Sequence, residues 1–248
     1  MRSDHPLHIF NLPNVAGDCG RCPIRYQAIC SRCDDDELAI LDRMKSYRTF
    51  AKGEAIYYVG EELRFFGTFV SGVAEISQCL EDGRRQIMGI LMPSDFVGRP
   101  YRRVSQFDIN AISEVVICRF DMVSFQKLLD EVPSLGPRLL EMTFDELDAA
   151  RTWMMVLGQK TAQEKIASFL YIIAVRNVKL QSLGMVNEVA FDLPFSRKQI
   201  ADYIGLTIET VSRQMSALRD SDIIEIVGQR HIIIKDLAAL RGQAGDSC

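Results

Sequence analysis

The sequence predicts an α+β chain of 248 residues: a jelly-roll-like antiparallel β-roll, then one long helix, then a winged helix-turn-helix. Three patterns predict this order. Short apolar runs punctuated by glycine fill residues 47–120, apolar residues recur every three or four positions over residues 137–157, and two capped helical segments meet near Gly205. We therefore divide the chain into a cysteine-rich segment (1–36), the β-roll (37–132), the long helix (133–159) and the winged helix-turn-helix (160–248).

The composition is that of an ordinary globular protein, with 48% hydrophobic and 25% charged residues. These fractions exclude the disordered and fibrous classes, and no apolar run approaches the roughly 18 residues that a membrane-spanning helix needs. The N-terminal residues include Asp4, Pro6 and Pro13 and form no continuous apolar core, so they do not resemble a secretory signal. We expect a cytoplasmic protein.

Residues 19–33 read CGRCPIRYQAICSRC and hold four of the seven cysteines. In a reducing compartment, an odd number of cysteines with four of them clustered favours a metal site over a disulfide framework. The spacing allows two kinds of site. One zinc ion would be coordinated by all four thiols of the segment, whereas an iron-sulfur cluster would use three of them and a fourth ligand from elsewhere.

The region after the cysteines is predicted to form a short helix and then many short strands. Four acidic residues at positions 34–37 favour a helix start, because carboxylates are stabilised at the amino end of a helix. The runs 73–77 and 86–91 flank an Asp-Gly turn at Asp82 and Gly83, which predicts a hairpin. An antiparallel barrel or roll is the best interpretation of this region.

The long helix over residues 137–157 carries apolar side chains at close to a 3.5-residue repeat. A repeat sustained over this length predicts packing against another long helix. The alternative is a helix buried within one globular core. The repeat positions are Leu140, Phe144, Leu147, Ala150, Met154 and Leu157.

Three further segments follow the long helix. Residues 160–175 have an amphipathic pattern and predict another helix. Residues 182–194 are predicted to be a polar loop. Two β-rich runs around Gly228, within residues 223–234, predict a wing of two strands.

Between the loop and the wing, two short helices are predicted to be joined by a tight turn. Ser196 and Gln199 have the spacing of a capping box, which starts the first helix. Gly205 ends that helix, and Thr207 caps a second one that reaches about residue 218. Helix, glycine-containing turn and helix together make the supersecondary unit that binds DNA.

In such a unit, the first residues of the second helix enter the major groove. Arginine can bind guanine through two hydrogen bonds, and glutamate can accept one from the cytosine amino group. The alternative is that Glu209 and Arg213, four residues apart, only form a solvent-facing ion pair. Net charge does not distinguish DNA binding from this alternative, because residues 160–248 carry 11 basic and 10 acidic side chains. The predicted DNA-binding residues are Arg197, Glu209, Thr210, Ser212 and Arg213.

The stretch QIADYIGLTIETVSRQMSALRDSDII resembles the helix-turn-helix of the CRP/FNR superfamily of bacterial transcription regulators, especially in its E-T-V-S-R core. The resemblance extends from about residue 19 to residue 236 and is greatest to the FNR group, whose oxygen sensors join an N-terminal cysteine cluster to one cysteine in the roll. It implies a [4Fe-4S] cluster that supports dimerisation and DNA binding without oxygen. The implied ligands are Cys19, Cys22, Cys30 and Cys118, with Cys33 as an alternative third ligand.

The resemblance also implies partners. A homodimer would bind a TTGAT-type palindrome in double-stranded DNA and regulate anaerobic genes, and surface loops near the Asp82-Gly83 hairpin would contact RNA polymerase. A cyclic nucleotide is not expected, because Arg99 follows Gly98 where nucleotide-binding members have glutamate. Cys79 and Cys248 are expected to be bystanders.

Two alternatives remain at this point. The first is a regulator of the same superfamily that carries zinc in Cys19, Cys22, Cys30 and Cys33 and does not sense oxygen. The second is an iron-sulfur enzyme or electron carrier. The three histidines are scattered, and no nucleophile motif or phosphate-binding loop is present, so we predict that the chain is not an enzyme.

Overall fold

The computed structural model describes residues 18–180 and 187–245, which fall into two compact units, residues 18–149 and 150–245. The expectation of no secretory signal at the N-terminus and the bystander role of Cys248 concern residues outside these ranges. None of the helices in the described ranges has the length and apolar character needed to cross a membrane.

The cysteine-rich segment forms two 3-10 turns, Cys19–Arg21 and Ile29–Arg32, followed by helix α1, Asp35–Met44. The predicted helix start is confirmed. The Asp34 side chain accepts a hydrogen bond from the Glu37 backbone N–H, and the Glu37 carboxylate accepts one from the Asp34 N–H.

The β-roll consists of two four-stranded antiparallel sheets, as predicted, with strand orders β1-β8-β3-β6 and β2-β7-β4-β5. The predicted hairpin is β4–β5, and Gly83 in its turn has φ +85°. The strands are β1 Ser46–Phe50, β2 Ala55–Tyr57, β3 Phe65–Ser71, β4 Ala74–Cys79, β5 Arg85–Leu91, β6 Phe96–Val97, β7 Asp108–Ala111 and β8 Val115–Asp121.

Helix α2, Met122–Glu131, closes this unit and was not predicted. Asp121 is both the last residue of β8 and the cap of α2, so no loop separates the two elements. Phe125 is fully buried and stacks on Phe66 of β3 with ring centroids 3.9 Å apart. Gly67 of β3 lies so close to β8 that a Cβ there would be 2.4 Å from the Ile117 Cγ2, so this position requires glycine.

The long helix, α3, spans Leu135–Gln159, which lies within the predicted range 133–159 and begins two residues before the apolar repeat. Pro137 is tolerated because it lies in the first turn, where its missing N–H costs no helical hydrogen bond.

The second unit has three antiparallel strands in the order β10-β11-β9 with helices around them. The polar loop predicted for residues 182–194 is wrong in part, because residues 189–192 form β9. Val189 and Phe191 are buried there, and β9 pairs with β11 some forty residues later. The elements are α4 Ala162–Leu180, β9 Val189–Asp192, α5 Arg197–Ile204, α6 Ile208–Asp220, β10 Ile224–Val227, β11 His231–Ile234 and α7 Leu237–Gln243.

Candidate cofactor and DNA-binding sites

One cavity between the cysteine-rich segment and the sheet β1-β8-β3 brings four thiols together. Cys19, Cys22 and Cys30 come from the segment, and Cys118 comes from the central strand β8. We call this the cysteine site. The other residues that line it are Ile24, Ala28, Ile29, Leu41, Tyr47, Thr68 and Phe120.

Backbone and side-chain hydrogen bonds fix the segment around this site. The Cys19 N–H donates to Asp42 Oδ1 at 3.0 Å, and the Cys22 N–H donates to the Cys19 carbonyl at 3.3 Å. The Arg25 guanidinium donates to the Cys30 carbonyl at 2.6 Å and to the Cys33 carbonyl at 2.9 Å. The loop between the two 3-10 turns is therefore held by its own arginine.

Burial is the largest influence on the pKa values of the Cys30 and Cys118 thiols. It raises the pKa of Cys30 to about 12, and the nearby Cys22 and Cys19 thiols add to the shift. Burial also raises the pKa of Cys118, with the same two neighbours contributing. A positive metal group is the usual means of holding such thiols as thiolates, since metal binding displaces their protons.

Lys45 adds a positive charge at the edge of the site. Its Nζ donates to the Cys19 Sγ at 3.3 Å and also contacts Asp42, and its side chain is only 7% exposed. Burial acts to lower the pKa of Lys45, but the hydrogen bonds to Asp42 and Cys19 hold that pKa above its ordinary value. The ammonium therefore persists beside the thiols.

The remaining cysteines are placed differently. Cys33 is buried but does not line the cavity, and its Sγ lies 3.3 Å from the Ser134 hydroxyl, which is also 2.7 Å from the Glu37 carboxylate. Cys79 is exposed at the end of β4. The structure thus brings together the four predicted ligands and leaves Cys33 against Ser134.

The donor set suits an iron-sulfur group. Within residues 18–180 and 187–245, no three His, Cys, Asp or Glu side chains converge closely enough to hold one metal ion. Four thiols on the walls of one cavity, with a buried ammonium beside them, suit an iron-sulfur cluster, whose ligands lie further apart.

The cysteine-rich segment contacts the start of α3 through side chains that no sequence motif indicated. The Arg138 guanidinium donates to the Gln27 carbonyl at 2.6 Å and to the Ala28 carbonyl at 3.4 Å. Arg32 forms an ion pair with Glu141 at 2.5 Å. The loop between Cys22 and Cys30 is therefore hydrogen-bonded to the long helix.

Most of the predicted repeat positions of α3 face solvent. Leu140, Phe144, Leu147, Ala150 and Met154 are exposed, whereas Leu157 is half-buried. Met154 is 71% exposed. The alternative of a helix wholly buried in one core is wrong, because this apolar face is uncovered in the single chain.

The helix-turn-helix is built as predicted. Gly205 ends α5 in the left-handed region with φ +67°, and the Thr207 Oγ1 accepts from the Thr210 N–H at 3.2 Å to cap α6. Val211, Met215 and Leu218 form the buried face of α6.

The predicted DNA-binding side chains of α6 lie on its outer face. Glu209, Ser212 and Arg213 are exposed and Thr210 is half-buried, as is Arg197 on α5. The Ser212 hydroxyl donates to the Ile208 carbonyl at 2.9 Å. In the described part of the chain, no ion pair joins Glu209 to Arg213, and both side chains are exposed.

Gly98, which precedes Arg99 in the β-roll, is required by the backbone. Gly98 has φ +95°, and a Cβ there would lie 2.4 Å from the Phe65 carbonyl oxygen. The close approach of two strands therefore requires Gly98 whether or not a ligand is present.

Two family models match the chain. The model for a Crp-like helix-turn-helix domain matches residues 164–242, and the model for a cyclic nucleotide-binding domain matches residues 47–132. One model matches within each of the two units described above, and the cysteine-rich segment lies outside both matches.

The relatives are regulators. The chain is 47% identical to the transcriptional activator protein FnrL of Cereibacter sphaeroides, over 97% of each chain. It is 37% identical to the nitrogen fixation regulation protein FixK of Bradyrhizobium diazoefficiens, over 84% of this chain and 86% of FixK. Among solved structures, FixK2 from Bradyrhizobium japonicum superposes with a TM-score of 0.71 at 31% identity, over 80% of this chain and 96% of FixK2.

Proposed function

We propose, because the chain belongs to the CRP/FNR superfamily of transcription regulators, that it is an oxygen-responsive activator of anaerobic gene expression. It is a DNA-binding transcription regulator of the FNR/FixK type, and its relatives are regulators rather than enzymes. In the proposal, its cofactor is a [4Fe-4S] cluster and its active form is a homodimer on a TTGAT-type palindrome.

The observation that carries the proposal is the convergence of Cys19, Cys22, Cys30 and Cys118 on one buried cavity. These four thiols would hold the cluster, and Lys45 would offset part of the negative charge of the thiolates. When bound, such a cluster supplies an oxygen-labile link between the cysteine-rich segment and the β-roll. The position of Cys33 against Ser134 favours this ligand set over the zinc alternative, which needs Cys33.

The proposed signal passes from the segment to the long helix through backbone contacts. Arg138 holds the carbonyls of Gln27 and Ala28, which lie between the second and third thiols. Freeing the thiols would loosen this loop and remove its support for α3. The uncovered apolar face of α3 supports a second copy of the chain as the partner of this helix.

The proposed DNA contacts come from α6. In a dimer, two such helices one turn of DNA apart match a palindrome. Arg213 would bind the guanine of TTGAT and Glu209 the cytosine of the opposite strand, with Ser212 assisting. Residues 81–83 of the hairpin are exposed, which supports them as a surface for RNA polymerase. We do not expect a cyclic nucleotide, since Arg99 replaces the glutamate that would bind its ribose.

Anaerobic purification of the full chain tests the proposal. We expect brown protein with about four iron and four sulfide per chain, and specific binding to a TTGAT palindrome that is lost on exposure to air. Colourless protein with one zinc would select the zinc regulator. An iron-sulfur protein without affinity for DNA would select the electron carrier or enzyme.

A further inference from the structure

Thr68 carries a buried polar group that the fold does not use. Its side chain is 3% exposed in the middle of β3. The Oγ1 atom has no hydrogen-bond partner anywhere in residues 18–180 or 187–245. Buried hydroxyl groups are nearly always hydrogen-bonded, so an orphaned one requires an explanation.

The hydroxyl belongs to a residue of the cysteine site. Thr68 lines the cavity and is the direct partner of Cys118 in the β3–β8 pairing. Cys118 is also the direct partner of Tyr47 in β1, and Tyr47 lines the same cavity. Side chains directly opposite one another share a face of the sheet, so Thr68 and Cys118 are neighbours on the cavity wall.

Packing alone does not call for a hydroxyl here. The neighbouring residues Phe66, Phe69 and Val70 are apolar and fully buried. Valine has the same branched shape as threonine, is at least as well suited to a strand, and would bring no unpaired polar atom. The hydroxyl therefore points to a function at the cavity.

We propose that Thr68 is a positioning residue whose hydroxyl donates a hydrogen bond to a sulfur atom of the loaded cysteine site, either the Cys118 thiolate or a sulfide beside it. The inference rests on the proposed function. A thiolate or sulfide accepts hydrogen bonds better than a thiol because it carries negative charge. Such bonds to the sulfur atoms help to set the stability of an iron-sulfur site.

The test compares three variants of the full chain. Thr68→Val removes the hydroxyl, and Thr68→Ser keeps it. Ser94→Ala is the control: it also removes a buried hydroxyl that has no partner among the described residues, but Ser94 does not line the cavity. Each is studied by urea unfolding without metal, and by the rate of iron release to a ferrous chelator after anaerobic loading with iron and sulfide.

Without metal, we expect Thr68→Val to unfold at the same or a higher urea concentration than the natural chain, because an orphaned hydroxyl is lost. After loading, it should release iron roughly two- to tenfold faster, the factor that one hydrogen bond supplies. Thr68→Ser and Ser94→Ala should release iron at the natural rate. Reduced loading of Thr68→Val with unchanged urea unfolding would also support the inference.

Two results would overturn the inference while leaving the proposed function intact. One is release of iron from Thr68→Val at the natural rate. The other is a clearly lower urea midpoint for metal-free Thr68→Val, which would mean that the hydroxyl serves the fold. If the natural chain itself takes up no iron and sulfide, the proposed function fails and this inference fails with it.

Discussion

The cysteine site and the recognition helix are assembled in opposite ways. Three thiols come from residues 19–30, the fourth comes from Cys118 far along the chain, and all four meet in a buried cavity. The recognition side chains come from residues 209–213 of one helix and most of them face solvent. The first site therefore depends on tertiary packing, whereas the second depends on local helix formation.

This difference implies that the two sites can be damaged separately. Under the proposed function, a change at the cysteine site should remove the cluster and, through the long helix, DNA binding as well. A change on the outer face of α6 should alter the choice of DNA sequence and leave the cofactor intact. Changes at the cysteine site should therefore affect DNA binding, whereas changes on the outer face of α6 should not affect the cysteine site. Substitutions can test this one-way dependence.

Cys118→Ser has the largest expected effect. Because Cys118 is the one proposed ligand that comes from β8, iron and sulfide should fall to near zero after anaerobic loading, and specific DNA binding should fall with them. Cys30→Ser should do the same, whereas Cys33→Ser should keep its iron because Cys33 contacts Ser134 outside the cavity. The measurements are iron analysis, absorbance and DNA binding.

Cys79→Ser is the matched control, since Cys79 is exposed at the hairpin. Full loading of Cys118→Ser would refute the proposed ligand set. If Cys33→Ser loses its iron and Cys30→Ser keeps it, the third ligand is Cys33 and not Cys30.

The next largest effect is expected at the long helix. Leu147→Glu would place a charge in the proposed dimer interface, which costs about 3 kcal/mol or more and weakens the dimer by at least roughly 100-fold. Sedimentation under anaerobic conditions measures this. Ala149→Glu is the control, because residue 149 is exposed and lies about 200° around the helix from Leu147. A Leu147→Glu chain that dimerises normally would exclude this helix as the interface.

The sequence predicted the parts of the molecule whose signals are local. The capping box at Ser196, the left-handed Gly205 and the hairpin turn at Gly83 each specify their own backbone, and all three are observed. Strand β9 was missed because only its pairing with β11 distinguishes it from a polar loop. Helix α2 was missed because it begins without a break after a strand.

The cysteine site shows where sequence reasoning ends. The spacing of the N-terminal cysteines does not distinguish Cys30 from Cys33, since the choice depends on how the Ile29–Arg32 turn orients each thiol. Nothing in the apolar strand around Cys118 separates a ligand from a core cysteine, and only the family resemblance selected it. The contacts of Arg138 with two carbonyls carry no sequence signal, because any backbone carbonyl can accept them.

A smaller effect is expected at the recognition helix. Glu209→Ala should reduce the preference for TTGAT over a site with the contacted C·G pair changed by about 10- to 100-fold, the value of one good base contact. Binding to unrelated DNA should be unchanged or slightly tighter, because a negative charge is lost. Asp220→Ala, at the exposed end of the same helix, is the control. An equal loss of affinity on every sequence would contradict a base contact by Glu209. Loss of iron from Glu209→Ala would show that the two sites cannot be damaged separately.

The smallest effect is expected at Lys45. Burial raises the pKa of the Cys19 thiol, and the hydrogen bond from Lys45 lowers it in part. Lys45→Met removes only the lowering contribution, so the pKa of Cys19 should rise further and less thiolate should form at a given pH. In metal-free protein, alkylation of Cys19, followed by mass spectrometry, should therefore need a higher pH. Arg43→Met, an exposed cation on the same helix, should leave the profile unchanged. An unshifted profile for Lys45→Met would mean that the ammonium does not act on the cysteine site.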